Sequence, residues 1–83
     1  MPNEMTYEFT VYGKKNCVGC DAAKGMLDAQ GITYEYVDIA DDDEARDTVL
    51  EEGFRSVPVL YNNLTGLFYG PTEISQAIDE FEI

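Results

Sequence analysis

The chain has 83 residues, of which 45% are hydrophobic and 12% aromatic, so it can bury one compact core and form a single domain over residues 1–83. Its 17 acidic and 5 basic residues give a net charge of −12, which argues against binding to nucleic acid or to an anionic membrane surface. No apolar stretch approaches the roughly 18 residues of a transmembrane helix. Residues 1–6, which we expect to be flexible, lack the pattern of a signal peptide.

The first predicted elements are a strand, a helix and a second strand. Apolar and polar residues alternate over residues 7–13, which is the period of a strand, and Gly13 ends it. A helical pattern covers roughly residues 18–30 and stops at Gly31, and β-branched and aromatic residues predict another strand over residues 32–39. The apolar face predicted for this helix comprises Val18, Ala22, Ala23, Met26 and Leu27.

The second half of the chain predicts a helix, two short strands and a final helix. The acidic run from Asp41 opens a helix that extends to about Glu52. A strand with a proline at its entry follows at 57–61, a turn leads to its hairpin partner at 67–69, and residues 70–72 open the last helix. The residues predicted to face inward are Ala45, Val49 and Leu50 in the second helix and Ile74, Ala77, Ile78 and Phe81 in the last one.

The order of elements is therefore β-α-β-α-β-β-α, which predicts an α/β fold with a four-stranded mixed sheet. The first strand–helix–strand unit should form a right-handed crossover between parallel strands. The two late strands should form an antiparallel hairpin, and three helices should flank the sheet.

Two cysteines three positions apart, Cys17 and Cys20, carry the chemistry of this sequence. Cys17 is predicted at the entrance of the first helix, where unpaired N–H groups and the helix dipole lower the pKa of a thiol. We therefore expect Cys17 to be the exposed attacking thiolate and Cys20 the more buried thiol that resolves a mixed disulfide. Lys14 and Lys15 lie just upstream and either lower the pKa of Cys17 or decorate a surface loop.

Other interpretations of these residues stay open. A Cys-x-x-Cys pair is also half of a zinc or iron–sulfur site, but the chain has no histidine and no second cysteine pair. We expect no metal ligands in the monomer, and a metal- or cluster-binding dimer is the more distant alternative. A non-catalytic interaction module is a further alternative. The acidic segment 41–52 is interpreted as a solvated helix face, with a docking surface for a basic partner as the alternative.

Several motifs agree in order and spacing with one known family. They are Val11-Tyr12-Gly13-Lys14, Cys17-Val18-Gly19-Cys20, the segment from Leu27 to Glu35, and Val57-Pro58-Val59. Together they resemble the glutaredoxin family, and more closely its NrdH-redoxin branch, whose active site reads Cys-Val-Gln-Cys. The resemblance covers residues 7–81 and implies the thioredoxin fold with strand order 2-1-3-4 and a cis peptide bond before Pro58.

The resemblance also implies the active site and its chemistry. Cys17 and Cys20 would form a redox-active disulfide with no bound cofactor, and the backbone of Val57 would pair with an extended segment of the substrate. A proline at the start of an edge strand is the alternative interpretation of Pro58. The residues expected to bind substrate or partner are Tyr12, Lys14, Val18, Gly19, Val57, Pro58, Gly70, Thr72 and Glu73.

The departures from the family pattern concern the electron source. Glutaredoxins carry Pro-Tyr where this chain has Val18-Gly19, and the NrdH branch usually has proline in place of Lys15. The glutathione-holding motif Gly-Gly-x-Thr-Asp is replaced by Tyr69-Gly70-Pro71-Thr72-Glu73. NrdH-like proteins take electrons from thioredoxin reductase and NADPH, whereas glutaredoxins take them from glutathione.

The sequence thus predicts a cytoplasmic, monomeric dithiol–disulfide oxidoreductase. Its expected client is ribonucleotide reductase, the usual client of the family, or another protein that contains a disulfide. A glutathione-dependent glutaredoxin is the alternative.

Overall fold

A computed structural model describes residues 7–81 of the chain, so the flexible segment predicted at residues 1–6 lies outside the described residues. Within residues 7–81 the predicted order of strands and helices is confirmed. No helix in this range is long and apolar enough to cross a membrane. The elements are β1 (Phe9–Gly13), α1 (Val18–Ala29), β2 (Tyr34–Asp38), α2 (Asp43–Glu51), β3 (Val59–Asn62), β4 (Phe68–Tyr69) and α3 (Ile74–Phe81).

The four strands form one mixed sheet in the order β2-β1-β3-β4, as predicted. β1 pairs in parallel with β2, where Val11 lies opposite Tyr36, and antiparallel with β3, where Val11 lies opposite Leu60. β3 and β4 form the antiparallel hairpin. β3 begins only at Val59, two residues later than predicted, and Pro58 has no backbone N–H to donate to a ladder.

The main core lies between one face of the sheet and the helices α1 and α3. Phe9 and Val11 point into it from β1, and the ring of Phe81 packs edge-on against Phe9 with centroids 5.3 Å apart. Helix α2 covers the opposite face and buries Ala45 and Val49. The buried residues of the main core are Phe9, Val11, Ala23, Leu27, Ile32, Leu60, Tyr69, Ile74, Ala77 and Ile78.

The predicted apolar face of α1 is wrong in part. Val18 is 86% exposed and Met26 is 37% exposed, whereas Cys20, Ala23 and Leu27 are buried. These three buried residues recur every three or four positions and form one line along the helix that faces the sheet. Val18 lies about half a turn away from that line and so points to solvent. Ala22 is also exposed.

The other two helices follow their predicted faces more closely. Ala45 and Val49 of α2 are buried as predicted, but Leu50 is 50% exposed, so its predicted inward orientation is wrong. Asp42 is the N-cap of α2, and its side chain accepts a hydrogen bond from the N–H of Ala45 at 3.0 Å. The face predicted for α3 is confirmed, since Ile74, Ala77 and Ile78 are buried and Phe81 is half-buried.

The start of α1 packs closely over the end of β1, and Gly13 makes this approach possible. A Cβ atom on Gly13 would lie 2.6 Å from Tyr36 Oη and 2.9 Å from Cys20 Sγ. No side chain fits in this space without displacing the tyrosine or the cysteine. Gly13, the last residue of β1, therefore holds the cysteine-bearing turn at a defined distance from the sheet.

Replacing Leu27 should test the observed face of α1. Leu27 is fully buried, so Leu27→Ala should lower the free energy of unfolding by about 2–5 kcal/mol through lost burial and a cavity. Met26→Ala, one residue away and more than one third exposed, should cost much less, about 0.5 kcal/mol. Urea denaturation of the variants measures both effects. Equal losses would contradict the described orientation of the helix.

Gly13→Ala should destabilise the protein because its new methyl group overlaps Tyr36 and Cys20. We expect a loss of about 1–3 kcal/mol in the free energy of unfolding, measured in urea. The matched control is Gly25→Ala, because nothing lies within 4 Å of a Cβ atom on Gly25 in the middle of α1. That variant should be more stable than the wild type by about 0.5–1 kcal/mol. A Gly13→Ala protein as stable as the Gly25→Ala protein would contradict the described packing.

Candidate active site

The two cysteines are joined in a disulfide at the first turn of α1. Cys17 is the N-cap residue of the helix, and its Sγ accepts a hydrogen bond from the backbone N–H of Cys20 at 3.1 Å. The carbonyl oxygen of Cys17 accepts the first helical hydrogen bond, from Asp21. The Cys17 sulfur thus occupies the position in which an N-cap serine or aspartate oxygen normally lies.

The two sulfurs differ in their access to solvent, as predicted. Cys17 is half-buried, whereas Cys20 has 0% exposure. A sulfur atom of another molecule can therefore approach Cys17 but not Cys20. The free N–H groups and the positive end of the helix dipole favour a negative charge on Cys17 once the disulfide is reduced.

The loop that precedes β3 lies against the active-site turn. The peptide bond between Val57 and Pro58 is cis, as the resemblance implied. A Cβ atom on Gly19 would lie 3.2 Å from Cδ of Pro58, so the turn and the loop are in close contact. Among residues 7–81, no hydrogen bond is formed by the backbone of Val57. Its N–H and C=O groups are therefore unpaired within the described part of the chain.

A groove without charged residues opens on the α1 and α3 side of this loop. We call it the apolar groove, and it has a volume of about 360 Å³. It brings together Gly19, Val57, Pro58 and Thr72, four of the residues predicted to bind a partner. The remaining lining residues are Ala22, Ala23, Met26, Pro71, Ile74 and Ser75.

A second cavity of about 190 Å³ lies on the other side of the loop, and Val57 lines both cavities. We call it the cationic pocket, because Lys14, Arg46 and Arg55 line it and these are three of the five basic residues of the chain. Its other lining residues are Ile39, Val49, Leu50, Phe54, Ser56 and Val57. Sequence reasoning found Lys14 but missed Arg46 and Arg55, because only the fold brings the loop before β3, helix α2 and the loop after β1 together.

The segment before α3 holds Gly70, Thr72 and Glu73, three of the residues that the resemblance assigned to ligand binding. The side chain of Glu73 accepts a hydrogen bond from the backbone N–H of Gly70 at 2.8 Å. A Cβ atom on Gly70 would lie 2.9 Å from Cε1 of Phe54, so an aromatic ring occupies the space beside this glycine. Of Gly70, Thr72 and Glu73, only Thr72 lines the apolar groove, where its neighbour Pro71 also lies.

Tyr12 lies apart from the other predicted site residues, and Val18 is simply exposed beside Cys17. The side chain of Tyr12 lines a surface groove on the α2 side of the sheet, together with Glu35 and Asp42. Burial, followed by the nearby Tyr61, raises the pKa of Tyr12. The structure therefore does not bring Tyr12 together with the cysteines.

Two further residues, Gly13 and Tyr36, border the space next to Cys20 Sγ, and sequence reasoning did not assign them to the site. Gly13 was predicted only as the end of a strand, and Tyr36 only as a strand residue. The hydroxyl of Tyr36 donates a hydrogen bond to the carbonyl oxygen of Lys14 at 3.0 Å, and Lys24 Nζ lies 4.1 Å from the centre of its ring. The one signal in the sequence for this part of the site was Gly13, a glycine directly before the loop that carries Cys17.

Within residues 7–81, no group of three or more histidine, cysteine, aspartate and glutamate side chains converges on a common point. The cysteine pair thus has no neighbouring carboxylates arranged as further ligands there.

Known proteins are similar to this chain in sequence and in fold. The family model for glutaredoxin matches residues 9–64. The glutaredoxin-like protein NrdH of Salmonella typhimurium is 37% identical over 51 residues, which are 61% of this chain and 63% of that protein, or slightly less than two thirds of its length. The NrdH protein of Lactococcus lactis is also 37% identical over 51 residues, which are 71% of its length.

A solved structure gives the same result. The NrdH-redoxin of Escherichia coli superimposes with a TM-score of 0.71 at 27% identity, over 82% of this chain and 91% of the other. The region matched by the family model contains the cysteine pair and covers more than half of the chain. The chain therefore belongs to the glutaredoxin family, within its NrdH-redoxin-like branch.

Proposed function

We propose that this protein is a dithiol–disulfide oxidoreductase that carries two electrons to a disulfide in a larger protein. The observation that carries the proposal is the asymmetry of the cysteine pair. Cys17 is accessible at the N-cap of α1, and Cys20 is fully buried one turn further on. This arrangement supports attack on the client by Cys17 and resolution by Cys20.

In the proposed reaction, the Cys17 thiolate attacks one sulfur of the client disulfide. The client S–S bond breaks, a mixed disulfide with Cys17 forms, and the second client sulfur leaves as a thiolate that takes up a proton. Cys20, as a thiolate, then attacks Cys17 Sγ, and the remaining client sulfur leaves. The client gains two electrons and two protons, and the carrier is left with the Cys17–Cys20 disulfide.

The surface around Cys17 supports a protein as the client. The unpaired backbone of Val57 suits the addition of an extended segment, in which main-chain hydrogen bonds provide affinity. The apolar groove beside it accepts uncharged side chains of that segment. We infer that the client is ribonucleotide reductase, the usual client of the family that the sequence resembles.

For the reductant, we propose thioredoxin reductase with NADPH. The E. coli NrdH-redoxin is described as having a thioredoxin-like activity profile. One carboxylate oxygen of Glu73 is already hydrogen-bonded to Gly70 and the ring of Phe54 lies beside Gly70, and both observations favour this reductant over a glutathione site at the start of α3. The cytoplasm is the proposed compartment, because dithiols are kept reduced there.

One observation favours glutathione as a second candidate for the reductant. The cationic pocket places Lys14 and Arg55 beside Val57, and such side chains hold the carboxylates of small anionic thiols. This pocket is the reason to test both reductants on the same protein.

Single cysteine variants test the assignment of the two sulfurs. Cys17→Ser should abolish the reduction of insulin or ribonucleotide reductase, because it removes the only accessible sulfur of the pair. Cys20→Ser should keep the attack but trap the client as a mixed disulfide, which non-reducing gel electrophoresis and mass spectrometry detect. Turnover by the Cys17→Ser protein would contradict the proposal.

A comparison of reductants tests the electron source. The oxidised protein should be reduced by thioredoxin reductase with NADPH much faster than by glutathione, followed as NADPH consumption in coupled assays. If glutathione uses the cationic pocket, Arg55→Gln should lower kcat/KM with glutathione by about tenfold, since a charge-assisted hydrogen bond is lost.

The control for Arg55→Gln is Lys15→Gln, which removes the same charge from an exposed position that does not line the pocket. The quantity to compare is the ratio of glutathione to reductase activity, because an effect on Cys17 itself changes both rates. Reduction by glutathione alone would reject thioredoxin reductase as the electron source.

A further inference from the structure

The buried side of the disulfide has a polar neighbour on β2. Tyr36 Oη and Cys20 Sγ lie 2.6 Å and 2.9 Å from the point that a Cβ atom on Gly13 would occupy, so both atoms border the same small space beside the glycine. In the disulfide form, the Tyr36 hydroxyl donates to the carbonyl oxygen of Lys14 at 3.0 Å. Lys14 directly follows Gly13, so this hydrogen bond is made at the edge of the same space.

Cys20 needs a hydrogen-bond donor when the disulfide opens. Its sulfur has 0% exposure, and a thiolate in such a place is costly unless a donor or a cation stabilises it. The backbone N–H of Cys20 already donates to Cys17, so it does not serve its own sulfur. The Tyr36 hydroxyl is a side-chain donor that borders the same space beside Gly13 as this sulfur.

The charged groups around Tyr36 favour its role as a neutral donor. Asp21 and Lys24 face it from α1, and Asp38 lies two residues further along β2. Burial first, and then Asp38 and Asp21, raise the pKa of Tyr36, so its phenol keeps its proton at neutral pH. Lys24 Nζ lies over the ring and 3.5 Å from Asp21, which offsets part of the negative charge near the sulfur.

We propose that Tyr36 is a positioning residue for the resolving step, and that its hydroxyl turns from the Lys14 carbonyl oxygen to donate a hydrogen bond to the Cys20 thiolate. The inference rests on the proposed dithiol function. The Cys20 thiol releases its proton to solvent, the thiolate attacks Cys17 Sγ, and the client sulfur leaves as a thiolate. Tyr36 keeps its own proton throughout. When a reductant later opens the disulfide at Cys17, the departing Cys20 thiolate receives the same hydrogen bond.

This role predicts an effect that depends on pH. A hydrogen bond to a charged acceptor is strong enough to shift a thiol titration by about one pH unit. Without the hydroxyl, about tenfold less Cys20 is ionised at neutral pH, but each thiolate is a better nucleophile by about threefold. Resolution should therefore slow by about threefold at neutral pH, and it should become as fast as in the wild type, or faster, at alkaline pH.

The experiment uses Tyr36→Phe, which removes the hydroxyl and keeps the ring. The reduced protein is mixed with an aryl disulfide whose thiolate is coloured, and stopped flow records two releases of colour. The first release reports attack by Cys17, and the second reports resolution by Cys20. We expect the first rate to change little and the pH profile of the second rate to move upward by about one pH unit.

The matched control is Tyr34→Phe. Tyr34 lies on the same strand and packs against the same core, but its hydroxyl pairs with Asp28 at 3.4 Å rather than with the loop before Cys17. The pH profile of the second release in the Tyr34→Phe variant should equal that of the wild type. Replacement of Tyr36 by a fluorinated tyrosine, a more acidic donor, should move the profile of the second release downward. If Tyr36 had only a structural role, Tyr36→Phe and the fluorinated tyrosine would not shift the pH profile in opposite directions.

The outcomes separate the two proposals. If the wild type gives no second release, the dithiol function itself is wrong. If the wild type gives two releases and Tyr36→Phe has an unchanged second profile, or is slowed equally at every pH, the role of Tyr36 is overturned. Urea unfolding of the reduced variants shows that each is folded under the conditions of the assay.

Discussion

The contact between the first turn of α1 and the end of β1 is the constraint on which the active site depends. Gly13 lets Cys20 Sγ come so near to the sheet that a methyl group would not fit between them. This contact buries Cys20 completely and leaves Cys17 at the N-cap, where the backbone N–H of Cys20 points at its sulfur. The chemical difference between two otherwise equivalent thiols is thus a consequence of packing and of helix geometry.

The distribution of charge follows the same geometry. A chain with a net charge of −12 would be expected to repel a thiolate and any anionic ligand, yet its few basic residues lie near the active site. Three of the five line the cationic pocket beside Val57, and Lys24 lies over the ring of Tyr36 on the buried side of the disulfide. The acidic residues of α2 point mainly to solvent, which agrees with their interpretation as a solvated helix face.

The two cavities beside Val57 offer a partner two different surfaces. The apolar groove suits uncharged side chains of an extended protein segment, and the cationic pocket suits carboxylates. Because Val57 lines both, the proposed partner segment would pair with Val57 and direct its flanking residues into either cavity. Selectivity among clients and reductants would then depend on residues next to the reacting cysteine of the partner.

The sequence alone determined the order of the elements, the position of the cysteine pair at a helix entrance and the apolar face of α3, because these features depend on local periodicity and capping. Strand order and the cis bond before Pro58 followed from the family resemblance rather than from local pattern. Only the tertiary structure decided that α1 leaves Val18 and Met26 in solvent, that Arg46 and Arg55 join Lys14, and that Tyr36 and Cys20 border the same space beside Gly13. Periodicity describes the faces of a helix, but contacts between residues distant in the chain decide which face is buried and which side chains meet.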